Sequence, residues 1–228
     1  MRQYGIPQYL LNAIANIYQD TPYTFANVTF RTCMGLKQGC PLSPLLFAIY
    51  IADMEKVLRN GTGGAGGVVV GRVKFFMLAY ADDMVILAER PTDLQEMLNI
   101  LQRYANRNDL VINAAKSKVM RFSGNGHLSK RNWTCGNEEL EEVKSFVYLG
   151  FTFTSSGRHK KHIEGLASSG KRRVASVWSI AEKNFTENFI IRRQMFYSLV
   201  RPAFTYGCEI FGYEECEELE RVQRMYFR

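Results

Sequence analysis

Two adjacent aspartates, Asp82 and Asp83, separate the apolar runs Phe75-Phe76-Met77-Leu78-Ala79-Tyr80 and Met84-Val85-Ile86-Leu87-Ala88. Carboxylates are hard oxygen donors. Two of them on a rigid turn suit Mg²⁺, which keeps near-octahedral geometry and bridges to substrate phosphates. Each flanking run has strand length and strand composition, so the pair is expected at the turn of a β-hairpin whose buried strands hold it at a cleft edge. Aspartate is also a common turn residue, and taken alone the pair reads more readily as an ordinary solvated turn. Other reactive side chains offer less. The five cysteines (Cys33, Cys40, Cys135, Cys208, Cys216) have no C-x-x-C spacing and read as free thiols, neither a disulfide framework nor a zinc site. His159 and His162 are three apart, but no cysteine or carboxylate cluster completes a ligand set around them.

The elements that must position these groups follow from the patterning. Pro7 to Asp20 reads as a helix with Leu10, Leu11, Ile14, Ile17 and Tyr18 on one face, and Tyr23 to Arg31 as strand. The glycine-bracketed loop Met34 to Pro41 cannot be regular structure. Ser43 is expected to cap a following helix, with Pro44 at its first position and a stripe running to Leu58. Gly61 to Gly66 fits G-x-G-x-x-G, but it follows a helix and leads into strands, the reverse of a dinucleotide site, and is expected to be a flexible connector. After the aspartates, Thr92-Asp93-Leu94-Gln95 resembles a capping box ahead of a helix. Leu110 to Phe122 suggests a turn between two short strands, and Lys144 to Thr154 a hairpin. Beyond Arg158 the pattern is helical: one helix to about Lys183, a second from the cap Thr186, and a third from Glu214.

The 228 residues, 46% hydrophobic and 22% charged, have the balance of a folded chain with a substantial core. The longest apolar run is too short to span a bilayer, and the first residues lack a signal-peptide layout, so an intracellular site, nuclear or cytoplasmic, is expected and no membrane partner. The net charge of +7 is local: Arg158 to Arg201 holds ten lysines and arginines against three glutamates, and the remainder balances. Such a block is the footprint of a phosphate backbone, of an acidic membrane surface, or of a solvated helix face.

Taken in order, several stretches resemble a reverse transcriptase of the non-LTR (LINE-type) retrotransposon kind. Gly35-Leu36-Lys37-Gln38-Gly39-Cys40-Pro41-Leu42-Ser43-Pro44-Leu45-Leu46-Phe47 is similar to motif B, Tyr80-Ala81-Asp82-Asp83 to the Y-x-D-D of motif C, and Asn113-Ala114-Ala115-Lys116-Ser117 to motif D. Tyr148-Leu149-Gly150 resembles the primer grip, motif E, and Arg201-Pro202-Ala203-Phe204-Thr205-Tyr206-Gly207 an R-P-x-x-x-Y-G element of the thumb region. The resemblance implies an α+β fold: a partial right-hand polymerase palm over residues 1–156, antiparallel strands with packed helices, then a basic helical thumb over 157–228. It implies RNA-directed DNA synthesis by two-metal nucleotidyl transfer, with an RNA template, a DNA primer, dNTPs and Mg²⁺.

By the same resemblance Asp82 is the principal metal ligand and Asp83 a weaker or indirect one, and Lys116 stabilises or protonates the departing pyrophosphate. Gln38, Gly39, Pro41 and Ser43 face the template base and incoming nucleotide. Tyr148, Leu149 and Gly150 place the primer backbone. Lys160, Lys161, Lys171, Arg172, Arg173, Arg192 and Arg193 hold the RNA/DNA hybrid by its phosphates, without much sequence preference. The family places motif A, with a further metal-binding aspartate, upstream of the G-I-P element, and Gly5-Ile6-Pro7 stands almost at the start here. The expectation is a family member truncated at its N-terminal side. It would bind Mg²⁺ weakly or not at all and be inactive alone, unless another chain supplies the fingers and motif A. A different function also fits: a non-catalytic nucleic-acid-binding remnant acting through the basic helices.

Overall fold

Short, mostly antiparallel strands interspersed with helices follow from a sequence in which β-branched and aromatic runs alternate with helical stripes. The computed structural model describes residues 4–18, 22–25, 28–31, 35–122, 131–184, 188–213 and 215–227. It is an α+β fold in two compact units, residues 1–113 with 134–138 and residues 114–133 with 139–228.

In the first unit, helix α1 (Gln8–Tyr18) precedes the antiparallel pair β1 (Pro22–Phe25) and β2 (Val28–Arg31). Helices α2 (Ser43–Tyr50) and α3 (Met54–Gly61) follow, where the sequence suggested one continuous helix. Residues 51–53 form a turn between the two helices, and Ile51 and Met54 both enter the core. Hairpin β3 (Val68–Val70) and β4 (Val73–Phe75) leads to hairpin β5 (Met77–Tyr80) and β6 (Asp83–Ile86), and then to α4 (Pro91–Arg107). The helix starts at Pro91, one residue before the expected cap Thr92: proline suits a first turn because its missing N–H needs no partner there. The core joins Ile51, Met54, Leu58, Phe76, Met97, Ile100, Leu101 and Tyr104. Strand β8 (Trp133–Cys135) brings Thr134 and Cys135 against α4, where Gln95 bonds both the carbonyl and the amide of Thr134.

Of the two short strands expected across Leu110 to Phe122, the first does not form, and the second unit opens on the turn that begins at Ala114. Strand β7 (Lys118–Val119) then pairs in parallel with β9 (Glu138–Glu142). Glu142 accepts from both Arg121 Nε (2.8 Å) and Trp133 Nε1 (2.9 Å). Burial works against its charge, but these donors outweigh it and hold the carboxyl below the usual range. The expected hairpin forms from β10 (Ser145–Tyr148) and β11 (Phe151–Thr154), and α5 (Lys160–Asn184) runs close to the length expected. The suggested cap Thr186 lies outside the described residues. Asn188 caps α6 (Phe189–Met195), its Oδ1 accepting from the Ile191 amide. A π-helical turn (Phe196–Val200), α7 (Arg201–Phe204), α8 (Cys208–Phe211) and α9 (Glu217–Phe227) complete the unit. Ala167, Val174, Val177, Phe196, Val200, Phe204, Val222 and Tyr226 form its core.

The glycine stretch is a packed turn, contrary to the flexible connector expected from composition. Gly66 and Gly67 are buried; a Cβ on Gly67 would lie 2.8 Å from the Phe75 carbonyl oxygen, and its φ is +85°. Gly64 also has positive φ (+79°) but faces open space. Gly67→Ala should therefore cost about 2–3 kcal/mol and Gly64→Ala only about 1 kcal/mol, a contrast readable in urea midpoints. Equal costs would show that the close approach at Gly67 is not maintained.

Candidate active site and nucleic-acid interface

The aspartates stand at the tip of hairpin β5–β6, with Ala81 and Asp82 as the two turn residues and Tyr80 paired to Asp83. Opposed residues of an antiparallel pair share a face. One face, with Met77, Met84 and Ile86, packs on the first core; the other carries Leu78, Tyr80, Val85 and Asp83, and Tyr80 is 66% exposed. Asp82 and Asp83 are both exposed. Ala81 has φ +53°, where two-residue hairpins of one common type place glycine. Two carboxylates are thus presented to solvent on a turn anchored from behind.

The 35–43 loop is fixed by side chains the sequence did not single out. Ser43 is not the cap it was expected to be: position Leu42 takes that place and forms no side-chain cap bond. The Ser43 hydroxyl donates instead to the Lys37 carbonyl (2.7 Å) and lies 3.1 Å from the Tyr18 hydroxyl, closing the loop on itself. Lys37 in turn donates from Nζ to the Ile17 carbonyl. Gln38, Gly39 and Pro41 are left exposed, with Gly39 at φ +81°. The Tyr18 hydroxyl is the main influence lowering the Cys40 thiol below its usual range, followed by the Leu42 backbone.

In the second unit, Lys116 is exposed on a turn closed by the Ser117 amide bonding the Ala114 carbonyl. Leu149 (φ +47°) and Gly150 (φ +78°) form the two-residue turn of hairpin β10–β11. The Tyr206 hydroxyl donates to the Leu149 carbonyl (2.5 Å), and its ring lies 3.1 Å from where a Cβ on Gly150 would stand. Thus the Tyr-Gly of the R-P-x-x-x-Y-G element is bound to the hairpin tip of motif E.

Comparison with known proteins identifies the family. Residues 1–153 match the family model described as reverse transcriptase (RNA-dependent DNA polymerase). The chain belongs to the reverse transcriptase family. It is 27% identical to a Pol polyprotein from the type-1 retrotransposable element R2 of Popillia japonica, over 97% of this chain and 38% of that protein. It is 29% identical to the R2DM polyprotein of Drosophila melanogaster, over 69% of this chain and 16% of the relative. It is 28% identical to the RNA-directed DNA polymerase of the mobile element jockey from Drosophila funebris, over 83% and 20%. These are non-LTR retrotransposon polymerases, so the domain is of LINE type. The chain spans well under half the length of each. The family generally uses Mg²⁺ and acts on a nucleic-acid template with nucleotide substrates.

Within this reverse transcriptase chain, the described residues include no group of three or more His, Cys, Asp or Glu able to hold a metal ion, and no helix long and apolar enough to cross a membrane. Asp53, a further carboxylate of the first unit, accepts the Tyr104 hydroxyl at 2.6 Å. Burial first, and Asp53 second, raise that phenol well above its usual value. The basic helix α5 presents Lys160, Lys161, Lys171, Arg172 and Arg173 to solvent, while Gly170, Val174 and Val177 face inward. Several of these cations already have partners. Lys161 donates to Ser145 Oγ (2.7 Å) and Arg172 to Ser168 Oγ (2.9 Å), and Lys160 lies 4.0 Å from Glu164. Arg192 stacks over Trp178 at 4.3 Å, whereas Arg193 is exposed.

The positive φ of Ala81 gives a direct test of the tip. Ala81→Gly removes side-chain strain of about 1–3 kcal/mol against an entropic cost of about 0.5–1 kcal/mol, so the urea midpoint should rise. A lower midpoint would show that Ala81 is not held at positive φ.

Proposed function

We propose that this chain supplies the metal turn and the nucleic-acid-holding surfaces of an RNA-directed DNA polymerase, and that it extends no primer until a further carboxylate is brought beside Asp82. The observation carrying this reading is the exposed Asp82–Asp83 tip on a hairpin buried along one face. Two carboxylates fit Mg²⁺ in its usual role, where one or two protein ligands are completed by substrate phosphates and water. When bound there, the metal supplies positive charge for the attacking 3′-hydroxyl and the triphosphate. Asp82, at the apex, is the principal ligand, and Asp83 supports it. Lys116 donates a proton to the departing pyrophosphate. Gln38, Gly39 and Pro41 face the template base and incoming dNTP, with Ser43 shaping their loop. Tyr148, Leu149 and Gly150 bear on the primer backbone. Residues 1–156 then act as palm and 157–228 as thumb, a division by task that leaves the Tyr148 hairpin folded with the helices behind it.

A further ligand has a place to arrive. Among the described residues β5–β6 is a two-stranded sheet with Leu78 and Tyr80 exposed on one face, which suits a further strand from another chain or segment. An RNA template and a DNA primer place the reaction inside a cell, in the nucleus or the cytoplasm.

A second reading, hybrid binding without catalysis, is favoured by α5 alone. Lys160 and Lys171, like Lys161 and Arg172, are eleven residues or three helical turns apart, so two cation pairs recur roughly 16 Å along its exposed side.

Primer extension on an RNA template with Mg²⁺ and dNTPs tests the first reading. The chain alone should give no product, and adding a family palm segment that carries its own aspartate should restore extension that Asp82→Asn abolishes. Extension by the chain alone would refute the need for a further carboxylate. For the second reading, replacing Lys171, Arg172 and Arg173 by Ala should reduce the salt slope of RNA/DNA hybrid affinity by about 2–3, while Asp82→Asn leaves affinity unchanged. An unaltered slope would remove α5 from the interface.

A further inference from the structure

We propose that His162 is the positioning residue for the Tyr148–Gly150 turn and that it holds the turn only while its imidazole is neutral. His162, on the first turn of α5, is 3% exposed. The Thr152 amide donates to its Nδ1 at 3.2 Å, so Nδ1 carries no proton and Nε2 does. Nε2–H faces the Tyr206 carbonyl at 3.3 Å. Tyr206 then reaches the hairpin tip through its hydroxyl on the Leu149 carbonyl and its ring over Gly150. Phe151 lies against the imidazole, ring centres 3.9 Å apart, and Phe211 meets it edge-on at 5.6 Å. Gly207, at φ +76°, permits the approach: a Cβ there would lie 2.8 Å from the Phe151 ring and 3.6 Å from Nε2. One imidazole therefore ties together a strand of the hairpin, the residue that grips its tip and the long helix behind both.

The two bonds have opposite polarity, which makes the hold specific to one protonation state. A proton on Nδ1 would point at the Thr152 N–H, setting two donors face to face and leaving a charge among phenylalanines. Burial pushes the His162 pKa down; the Tyr206 carbonyl opposes this, and His159 adds to it. Since the folded value lies below the ordinary histidine value of about 6.5, the hold is complete above that pH. It is lost as pH falls through the lowered folded value. The titratable and charged groups on the packed elements are His159 and Lys161 beside it, Tyr206, Cys208 and Glu209 at α8, and Cys216 ahead of α9.

That the turn then bears on a primer rests on the function proposed above; the hold itself does not. Amide hydrogen exchange of the full chain between pH 5 and 8, corrected for intrinsic rates, reads the hold directly. Protection of Thr152 and of residues 145–154 should fall about tenfold or more toward pH 5, as expected for loss of one buried hydrogen bond, while Ile100 and Leu101 of α4 stay protected. His159→Gln should leave this profile in place. His162→Gln, which can keep one bond but cannot be protonated, should give a pH-flat profile. His162→Phe, which keeps ring packing and loses both bonds, should lower hairpin protection at every pH. Protection independent of pH in the natural chain, or an unchanged hairpin in His162→Phe, overturns the assignment. If a variant loses α4 protection as well, the pH profile of the natural chain decides. Hybrid affinity that stays flat while hairpin protection falls would overturn the primer role and leave the His162 assignment standing.

Discussion

A two-stranded hairpin does not hold its own turn. Isolated pairs of this length are marginal in water and need a helix or a third strand behind them. Hairpins β1–β2, β3–β4, β5–β6 and β10–β11 are each two-stranded sheets, and the last two carry the residues assigned to chemistry and to primer handling. Their tips are therefore placed by what lies behind them. For β5–β6 this is the Met77, Met84 and Ile86 face on the core shared with α3 and α4; for β10–β11 it is Phe151 with Ile163 of α5 and Phe211 of α8. Fully burying such a side chain contributes about 1.5–3 kcal/mol, against about 1–2 kcal/mol to order each backbone residue of a turn. Two or three inward side chains suffice to fix a two-residue turn, and little remains beyond that.

Both tips also hold a non-glycine residue at positive φ, Ala81 in one and Leu149 in the other. Such strain persists where the surroundings over-determine the backbone. At Leu149 the source is visible: its carbonyl receives the Tyr206 hydroxyl, and the next residue is a glycine covered by the Tyr206 ring. At Ala81 the neighbouring ladder pair Tyr80–Asp83 closes the turn. In each case the strained residue adjoins the side chains proposed above to meet substrate.

Local signals carried much of this fold. The aspartate hairpin, the Tyr148 hairpin and the long basic helix are all legible because period, turn residues and length agree at each of them. What was not legible depends on distant partners. Nothing near Ser43 in sequence shows that its hydroxyl turns back to Lys37 and Tyr18 instead of capping a helix. The glycines at 66 and 67 look flexible until Met97 and the Phe75 backbone are packed against them. His162 drew notice only as a doubtful metal ligand, because its acceptor, Tyr206, lies 44 residues away. Arg192 counts as one more cation until Trp178 is found beneath it, and Asp53 as a spare carboxylate until Tyr104 reaches it. The tertiary partner, absent from any local window, decides each of these.

The R-P-x-x-x-Y-G element is architectural in this structure. Pro202 has no N–H for the helix and its ring crowds the carbonyl four residues back, so a continuous α-helix through this point is disfavoured. The chain widens into a π-helical turn at Phe196–Val200 instead, just ahead of the proline. That turn keeps Phe196, Val200 and Phe204, spaced by four, all buried on one side. Beyond Thr205, which ends α7, Gly207 takes a left-handed conformation at the start of α8 and lets the chain pass close to Phe151, which leaves Tyr206 facing Leu149. The proline, the tyrosine and the glycine of the element thus each have a mechanical reason, and none requires that its side chain touch a substrate. The consequence is that the Tyr148–Gly150 tip is specified by residues more than fifty positions downstream. The hairpin and the helices that follow it form one device, and a change in those helices is felt at the tip without any residue of the hairpin being altered.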